Sequence, residues 1–161
     1  MILKNQVEWA LHCCAVLAGL PPDRYIATKR LAEFHGVPKE YLSKALQALS
    51  QAGIVTGTLG PTGGYRLARA VDDLTLLDIV EAVEGKRSTF VCTEIRKNNP
   101  CRLKTASDRG PCAIARAMWQ ADEAWRNALR AVRLSDIAER LLQDPGPDRM
   151  QQGLDWLLSP P

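Results

Sequence analysis

Apolar residues in the first part of the chain recur at helical spacing and are interrupted by glycine and proline. Residues 4–20 are mostly apolar and predict a helix that ends at Gly19. A second, short helix is expected to begin with Thr28 as its N-cap and to stop at Gly36. Pro38 can open a third helix at its first position, because it has no N–H to leave unpaired. The apolar stripe of this third helix comprises Leu42, Ala45, Leu46 and Leu49.

The pattern changes after Gly53, which closes the third helix. In "IVTGTLGPTGGYRLAR", two β-prone runs flank "GPTGG", which predicts a β-hairpin over about residues 54–69. Thr75 then begins a capping-box-like sequence ahead of another amphipathic helix. Residues 1–84 therefore predict a mainly α domain with a small β-hairpin wing. This is the layout of a winged helix-turn-helix domain, with the helix-turn-helix itself at about residues 28–51.

The second half of the chain predicts a long loop, a long helix and a tail. Residues 85–111 are rich in Lys, Arg, Asn, Gly and Pro, and loops of this length are usually functional or disordered. Residues 112–140 predict one long helix, and residues 141–161 a tail with a short helix. The apolar seam of the long helix consists of Ile114, Met118, Ala121, Trp125, Leu129 and Val132. The periodicity of this seam fits dimerisation and packing on the same chain equally well. Its position after the complete winged helix-turn-helix domain suggests a dimerisation helix.

Composition narrows the class of protein. The chain has 161 residues, of which 46% are hydrophobic and 24% charged, as in globular proteins. It contains no apolar run near the roughly 20 residues that cross a bilayer, and its N-terminus becomes polar too early for a signal peptide. We therefore expect a cytoplasmic protein without a membrane partner. Five cysteines in a reducing compartment favour free thiols, redox chemistry or a metal site over disulfides.

The helix-turn-helix and the wing together predict DNA binding. The start of the third helix presents polar side chains that can reach base edges or phosphates, and the wing glycines let backbone N–H groups approach phosphates. For each lysine taken alone a solvated helix face is the favoured interpretation, but the whole constellation favours DNA. The candidate DNA-binding residues are Thr28, Lys39, Tyr41, Ser43, Lys44, Gly60, Thr62, Gly63, Gly64, Tyr65 and Arg66.

The stretch "LAEFHGVPKEYLSKALQALSQAGIVTGTLGPTGGYRLAR" followed by "LTLLDIVEAVEG" resembles the Rrf2 family of bacterial transcription regulators. "GPTGGYRLAR" is similar to the glycine-rich wing of that family, and "YLSKALQALSQAGIV" to its recognition helix. The resemblance spans roughly residues 2–135. It implies a homodimeric repressor or activator, of which we expect a repressor, that binds a pseudo-palindromic double-stranded DNA operator. It also implies a sensor segment after the wing, where many members hold an iron–sulfur cluster on cysteines.

A candidate metal site combines this sensor segment with the first helix. Cys92, Cys101 and Cys112 lie in a basic segment that favours thiolates, which are good soft ligands. Glu8 and His12 are one helical turn apart and share a face. The pattern "VEWALHCC…FVCTEIR…CAIARAM" is similar to a redox-sensing branch of the family. That resemblance implies a [2Fe–2S] cluster held by Glu8 and His12 of one chain with Cys101 and Cys112 of its partner, and Cys92 is the alternative cysteine.

Several other interpretations stay open. His12 can be a core histidine, Cys13 and Cys14 are best read as small core residues, and Trp9 can pack in the core or relay the state of the cluster. The sensor cysteines can instead bind zinc, or act as a thiol switch in a cofactor-free winged-helix regulator. A thiol-dependent oxidoreductase is the rival from another class. The sequence has no Cys-x-x-Cys, nucleophile elbow or phosphate loop, so we expect no enzyme.

Overall fold

Helices and one hairpin follow one another in the order that the apolar pattern predicts, and the fold class is confirmed. The computed structural model describes residues 3–100, 110–143 and 147–159. The elements are α1 (Asn5–Ala18), α2 (Thr28–His35), α3 (Lys39–Gln51), β1 (Val55–Thr58), β2 (Gly64–Leu67), α4 (Leu76–Glu84), α5 (Ala113–Arg130), α6 (Leu134–Gln143) and α7 (Pro147–Leu158). Short 3-10 turns occupy Val71–Asp73 and Ile95–Asn98.

The helix-turn-helix forms where it was predicted, with two shifts of one residue. Gly36 ends α2 in the left-handed conformation, with φ 63°. The N-cap of α2 is Ala27, not Thr28, because Ile26 is still extended and pairs with Tyr65. The prediction of Thr28 as the cap was therefore wrong. Pro38 is likewise the N-cap of α3 and not its first helical residue, since its ψ of 124° is extended.

The wing is a two-stranded antiparallel hairpin in which Val55 pairs with Leu67 and Thr58 with Gly64. Gly64 lies against the backbone that precedes α2, and a Cβ on it would stand 2.2 Å from the carbonyl oxygen of Ile26. Only glycine permits this approach. The wing is thereby fixed to the start of α2.

A single apolar core joins the helix-turn-helix to the elements that follow it. The largest fully buried side chains come from α2, α3, α4, α6 and the segments between them: Leu31, Leu42, Leu46, Leu49, Ile54, Leu74, Ile79 and Leu134. The predicted apolar stripe of α3 is confirmed, with Leu42, Ala45, Leu46 and Leu49 all buried. Leu157 of α7 belongs to the same core, so this C-terminal helix packs on the winged helix-turn-helix domain.

The predicted single helix over 112–140 is wrong, because the chain breaks into α5 and α6. Arg133 forms an isolated antiparallel bridge with Thr75, which requires extended backbone between the two helices. The N–H of Leu134 donates to the carbonyl of Leu74 at 2.8 Å, and the N–H of Leu76 donates to Val132. Thr75 also forms the predicted capping box with Asp78 at the start of α4.

Helix α5 is anchored by polar contacts and leaves apolar side chains exposed. Arg126 pairs with Asp122 on its own helix and with Glu81 on α4. Of the predicted seam, Ile114 is 70% and Met118 41% exposed. No helix in the described ranges is long and apolar enough to cross a membrane.

Candidate functional site

A concave surface lies between the wing and the first residues of α2 and α3, with a volume of about 540 Å³, and is called the wing groove here. Six of the predicted DNA-binding residues line it: Thr28, Lys39, Gly60, Gly63, Gly64 and Tyr65. Lys29 lines it as well and was missed by the sequence analysis, although it directly follows Thr28. None of the lining residues is acidic, so the wing groove suits a polyanion.

The start of α3 presents an exposed polar face beside the wing groove. Tyr41 is 54% exposed, and the Lys44 ammonium lies 5.6 Å from the centre of the Tyr41 ring. Ser43 is only half-buried, and its hydroxyl donates to the Lys39 carbonyl at 2.8 Å. The hydroxyl proton of Ser43 is therefore used within the helix, and only its lone pairs remain for a ligand.

The wing glycines serve the hairpin itself more than the sequence analysis assumed. The N–H of Gly63 donates to the carbonyl of Gly60 at 3.0 Å, so it is not directed at a phosphate. A Cβ on Gly63 would lie 2.4 Å from the Thr58 carbonyl oxygen. Gly60 adopts φ +107° and faces open space, and Thr62 is exposed at the tip. Gly60 and Thr62 thus remain the accessible part of the predicted wing motif.

Tyr65 and Arg66 hold the base of the wing. Tyr65 packs against the core, and its N–H donates to the Ile26 carbonyl at 2.9 Å. The Arg66 guanidinium donates to the Pro22 carbonyl at 2.8 Å and lies 5.2 Å from the centre of the Tyr25 ring. The loop before α2 therefore fixes the Arg66 side chain, and its contact with DNA stays a prediction.

The first half of the predicted metal site lies on α1. Glu8 and His12 are both exposed and line one hollow of about 240 Å³ together with Trp9, His35 and Val37. This confirms that the two candidate ligands share a face. Trp9 is half-buried and packs against the core.

His35, at the end of α2, adjoins this pair and was missed by the sequence analysis. The His12 and His35 rings have their centres 5.8 Å apart. Burial, with the nearby His12, lowers the pKa of His35 below its ordinary value. The Nε2 atom of His35 is buried and has no hydrogen-bond partner within the described residues. Packing of α2 on α1 brings this residue in, and no spacing in the sequence indicates it.

The second half of the predicted metal site is an apolar pocket of about 540 Å³ that we call the cysteine pocket. Cys92 and Cys112 both line it, with Phe90, Val91, Thr93, Glu94, Ile95, Arg96 and Ile114. The structure thus brings together Cys112 and the cysteine that the sequence analysis ranked as the alternative. Cys101, the preferred partner, lies outside the described residues.

The two thiols of the cysteine pocket have different surroundings. Cys112 is the N-cap of α5, and its Sγ accepts a hydrogen bond from the Ala115 N–H at 3.4 Å. That hydrogen bond, with smaller help from Ile114 and Arg96, lowers the pKa of Cys112 and favours its thiolate. The Cys92 thiol donates to the Glu94 carboxylate at 3.8 Å, and Glu94 in turn accepts from Arg96.

The remaining cysteines are core residues, as expected. Cys13 and Cys14 are fully buried, and burial raises the pKa of Cys13 to about 12 and that of Cys14 further. Among the described residues of one chain, no three His, Cys, Asp or Glu side chains come together as a metal site.

Comparison with known proteins identifies the family. The model of the Rrf2 family, described as an iron-dependent transcriptional regulator, matches residues 3–140. The chain belongs to the Rrf2 family. Protein rrf2 of Nitratidesulfovibrio vulgaris is 32% identical over 116 residues, which are 71% of this chain and 72% of that protein.

Solved Rrf2-like structures share the fold. CymR, the global cysteine regulator of B. subtilis, superposes with a TM-score of 0.67 and 22% identity over 87% of this chain and 98% of the other. IscR of T. potens gives a TM-score of 0.63 and 20% identity over 92% of this chain and 91% of the other. At these identities the likeness concerns the fold. Family membership makes this Rrf2 chain a DNA-binding transcription regulator.

Proposed function

We propose that this Rrf2 regulator is a homodimeric repressor that binds a pseudo-palindromic DNA operator and senses redox state through a [2Fe–2S] cluster between protomers. One observation carries the proposal. Within the described residues the chain has two half-sites, an exposed carboxylate and imidazole on α1 and two thiols that line the cysteine pocket, and neither half is a complete site.

The residues present fit such a cluster chemically. A [2Fe–2S] cluster needs four ligands, mostly thiolates, and imidazole is known to replace some of them. Cys112 already favours the thiolate, and Cys92 shares its pocket. We therefore propose Cys92 and Cys112 of one protomer with Glu8 and His12 of its partner. Cys101, which the sequence analysis preferred over Cys92, is the alternative that the variants below test.

The exposed side of α5 supports a second copy of the chain. Ile114, Met118 and Trp119 are large apolar residues that are at least 40% exposed on this helix, and Ile114 also lines the cysteine pocket. Exposed apolar patches of this kind indicate protein–protein contact. We propose that a partner docks here, covers the cysteine pocket and places its own α1 beside it.

The fold offers a route from the ligands to the DNA-binding face. When bound, the cluster supplies a one-electron change of charge at the junction between α1 and the cysteine pocket. Helix α1 packs against α3 in the shared core, and Trp9, next to Glu8, is half-buried against this core. A shift of α1 therefore changes the tilt of α3 and the spacing of the two α3 helices in the dimer. On α3 and the wing, Lys39, Tyr41, Lys44 and Thr62 are the accessible DNA contacts we propose.

Anaerobic purification tests the proposal. We expect iron and acid-labile sulfide in equal amounts, a visible charge-transfer absorption, and loss of both in Cys92→Ser but not in Cys101→Ser. Loss in Cys101→Ser with retention in Cys92→Ser would restore the original ligand set. Absence of iron from the anaerobic wild-type protein would contradict the cluster.

A thiol switch without a cluster is the second candidate function. It is favoured by the shared pocket of Cys92 and Cys112 and by the likeness to CymR, a cysteine regulator in B. subtilis. On this alternative the purified protein contains no iron, whether or not it binds zinc. Its DNA binding then depends on thiol oxidation and is restored by a thiol reductant.

A further inference from the structure

The last helix, α7, lies beyond the segment that matches the Rrf2 family, yet it packs on the helix-turn-helix. The family match ends at residue 140, and α7 spans Pro147–Leu158. Leu157 is 3% exposed within the common core, and Leu154 lies 3.3 Å from where a Cβ of Gly19 would stand. A tail that only trailed from the domain would not place its apolar residues there.

Arg30 of α2 closes the C-terminal end of α7. Its guanidinium lies 3.8 Å from the centre of the Trp156 ring, a cation–π contact. The same group donates to the carbonyl of Trp156 and to the hydroxyl of Ser159, the latter at 3.1 Å. The last carbonyls of a helix have no partner inside it and carry partial negative charge, so a guanidinium is a suitable cap. The Arg30 side chain is only 16% exposed as a result.

Phe34, one turn further along α2, completes this contact. Its ring centre lies 5.8 Å from that of Trp156. A Cβ on Gly153 would stand 3.1 Å from the Phe34 ring, so the glycine allows the two helices to approach closely. Glycine inside a helix is less favourable than alanine. Its position opposite Phe34 compensates for this through packing.

Helix α2 connects α7 to the wing groove. At its beginning, Thr28 and Lys29 line the groove, and Ile26 just before it pairs with Tyr65 of the wing. Arg30 and Phe34 follow on the same helix and contact α7. A change in how α7 packs on α2 is therefore transmitted to the wing groove through one rigid helix of eight residues.

We infer that α7 is a brace of the winged helix-turn-helix domain, because the contact of Trp156 with Arg30 and Phe34 positions α2. DNA affinity therefore depends on Trp156, although this residue touches no DNA. Trp156 is a positioning residue on this inference. The inference rests on DNA binding and is independent of the cluster, so a protein without iron tests it equally well.

The test measures binding of the full-length protein to a labelled duplex selected from a randomised pool by the wild-type protein. Trp156→Leu keeps apolar volume but removes the ring face. We expect its affinity to fall by roughly threefold to tenfold, with an unchanged slope of log affinity against log salt, because no phosphate contact is lost. Trp156→Phe restores most of the affinity, since a phenyl ring still stacks on Arg30 and Phe34.

Leu158→Ala is the matched control, since Leu158 is an exposed apolar residue of the same helix outside the brace contacts described above. Its affinity should equal that of the wild type. If Trp156→Leu does not fold, Gly153→Ala asks the same question, because the added methyl displaces Phe34 while favouring the helix. Wild-type affinity in a folded Trp156→Leu or Gly153→Ala variant would overturn the inference. An equal loss in Leu158→Ala, or no rescue by Trp156→Phe, would overturn it too.

Discussion

The wing groove and the cysteine pocket differ in how much of each site one chain supplies. Both have a volume of about 540 Å³, but the wing groove is bounded by α2, α3 and the hairpin, all of which pack on the core. The cysteine pocket is bounded by the segment around residues 90–96 and the first turn of α5, where Val91, Ile95 and Ile114 are at least 70% exposed. One chain therefore supplies the whole lining of the wing groove. We propose that sensing depends on a second chain, which makes it sensitive to the geometry of the dimer.

Replacement of Cys112 should have the largest effect, and the effect is measured on iron content. Cys112→Ser removes a thiolate that α5 stabilises, so we expect complete loss of iron and of visible absorption. Cys13→Ala is the control, because Cys13 is a buried core residue whose thiol stays protonated. Iron analysis after anaerobic purification measures both. Wild-type iron in Cys112→Ser would remove this residue from the ligand set.

The free energy of unfolding should show the reverse difference: a substitution on α3 should lower it much more than a substitution at the candidate metal site. Leu46→Ala empties a fully buried position on α3, and we expect the free energy of unfolding to fall by about 2–5 kcal/mol. Glu8→Gln alters an exposed side chain and should change it by less than about 0.5 kcal/mol in the metal-free protein. Denaturant titration at one fixed protein concentration compares them. A large loss of stability in Glu8→Gln would mean that Glu8 serves the fold.

Replacement of Lys39 should weaken DNA binding and leave the candidate metal site unchanged. Lys39→Ala removes a cation that lines the wing groove of each protomer, so we expect a severalfold loss of DNA affinity, a fall of about 2 in the salt slope of the dimer, and unchanged iron content. Lys86→Ala, which removes an exposed lysine near Glu81 at the end of α4, is the control. Equal salt slopes for the two variants would place Lys39 away from the phosphates.

The smallest effect should come from the ion pair that ties the start of α1 to α4. The backbone N–H of Lys4 donates to Glu84 at 2.9 Å and, together with the Lys4 ammonium, lowers the pKa of Glu84. A carboxylate with a lowered pKa adds stability above its ordinary pKa of 4.5 and loses it as the pH falls through the lowered value. The wild type should exceed Glu84→Gln by at most about 0.5 kcal/mol at neutral pH, because water screens the pair. Unfolding titrations from neutral pH to about pH 3 should show this difference vanish.

Local signals in the sequence explain how much of the fold was predictable. Gly36 and the capping box at Thr75 act within one helical turn, and both were identified correctly. The break between α5 and α6 was not predictable, because it depends on the pairing of Arg133 with Thr75, which is distant in sequence. The apolar seam runs to Val132, beyond the last residue of α5, so periodicity alone gave one helix.

The same distinction holds for the candidate site. Glu8 and His12 were placed on one face correctly, because their spacing alone decides it. The anchoring of Arg66 was not predictable, because its partner Pro22 lies 44 residues away and only the fold brings it close. The contact of His35 with His12 and the common pocket of Cys92 and Cys112 depend likewise on how α2 packs on α1 and how the segment before α5 returns to that helix.

Subunit complementation tests most directly whether the two half-sites meet across a dimer. One chain carries Glu8→Gln and His12→Asn, the other carries Cys92→Ser and Cys112→Ser, and the heterodimer is isolated anaerobically with two different affinity tags. If the ligands come from opposite protomers, one of the two sites is intact, and the heterodimer holds half the iron of the wild-type dimer. Neither mutant homodimer then holds any. A heterodimer without iron, beside a wild-type protein that contains it, would contradict the shared cluster.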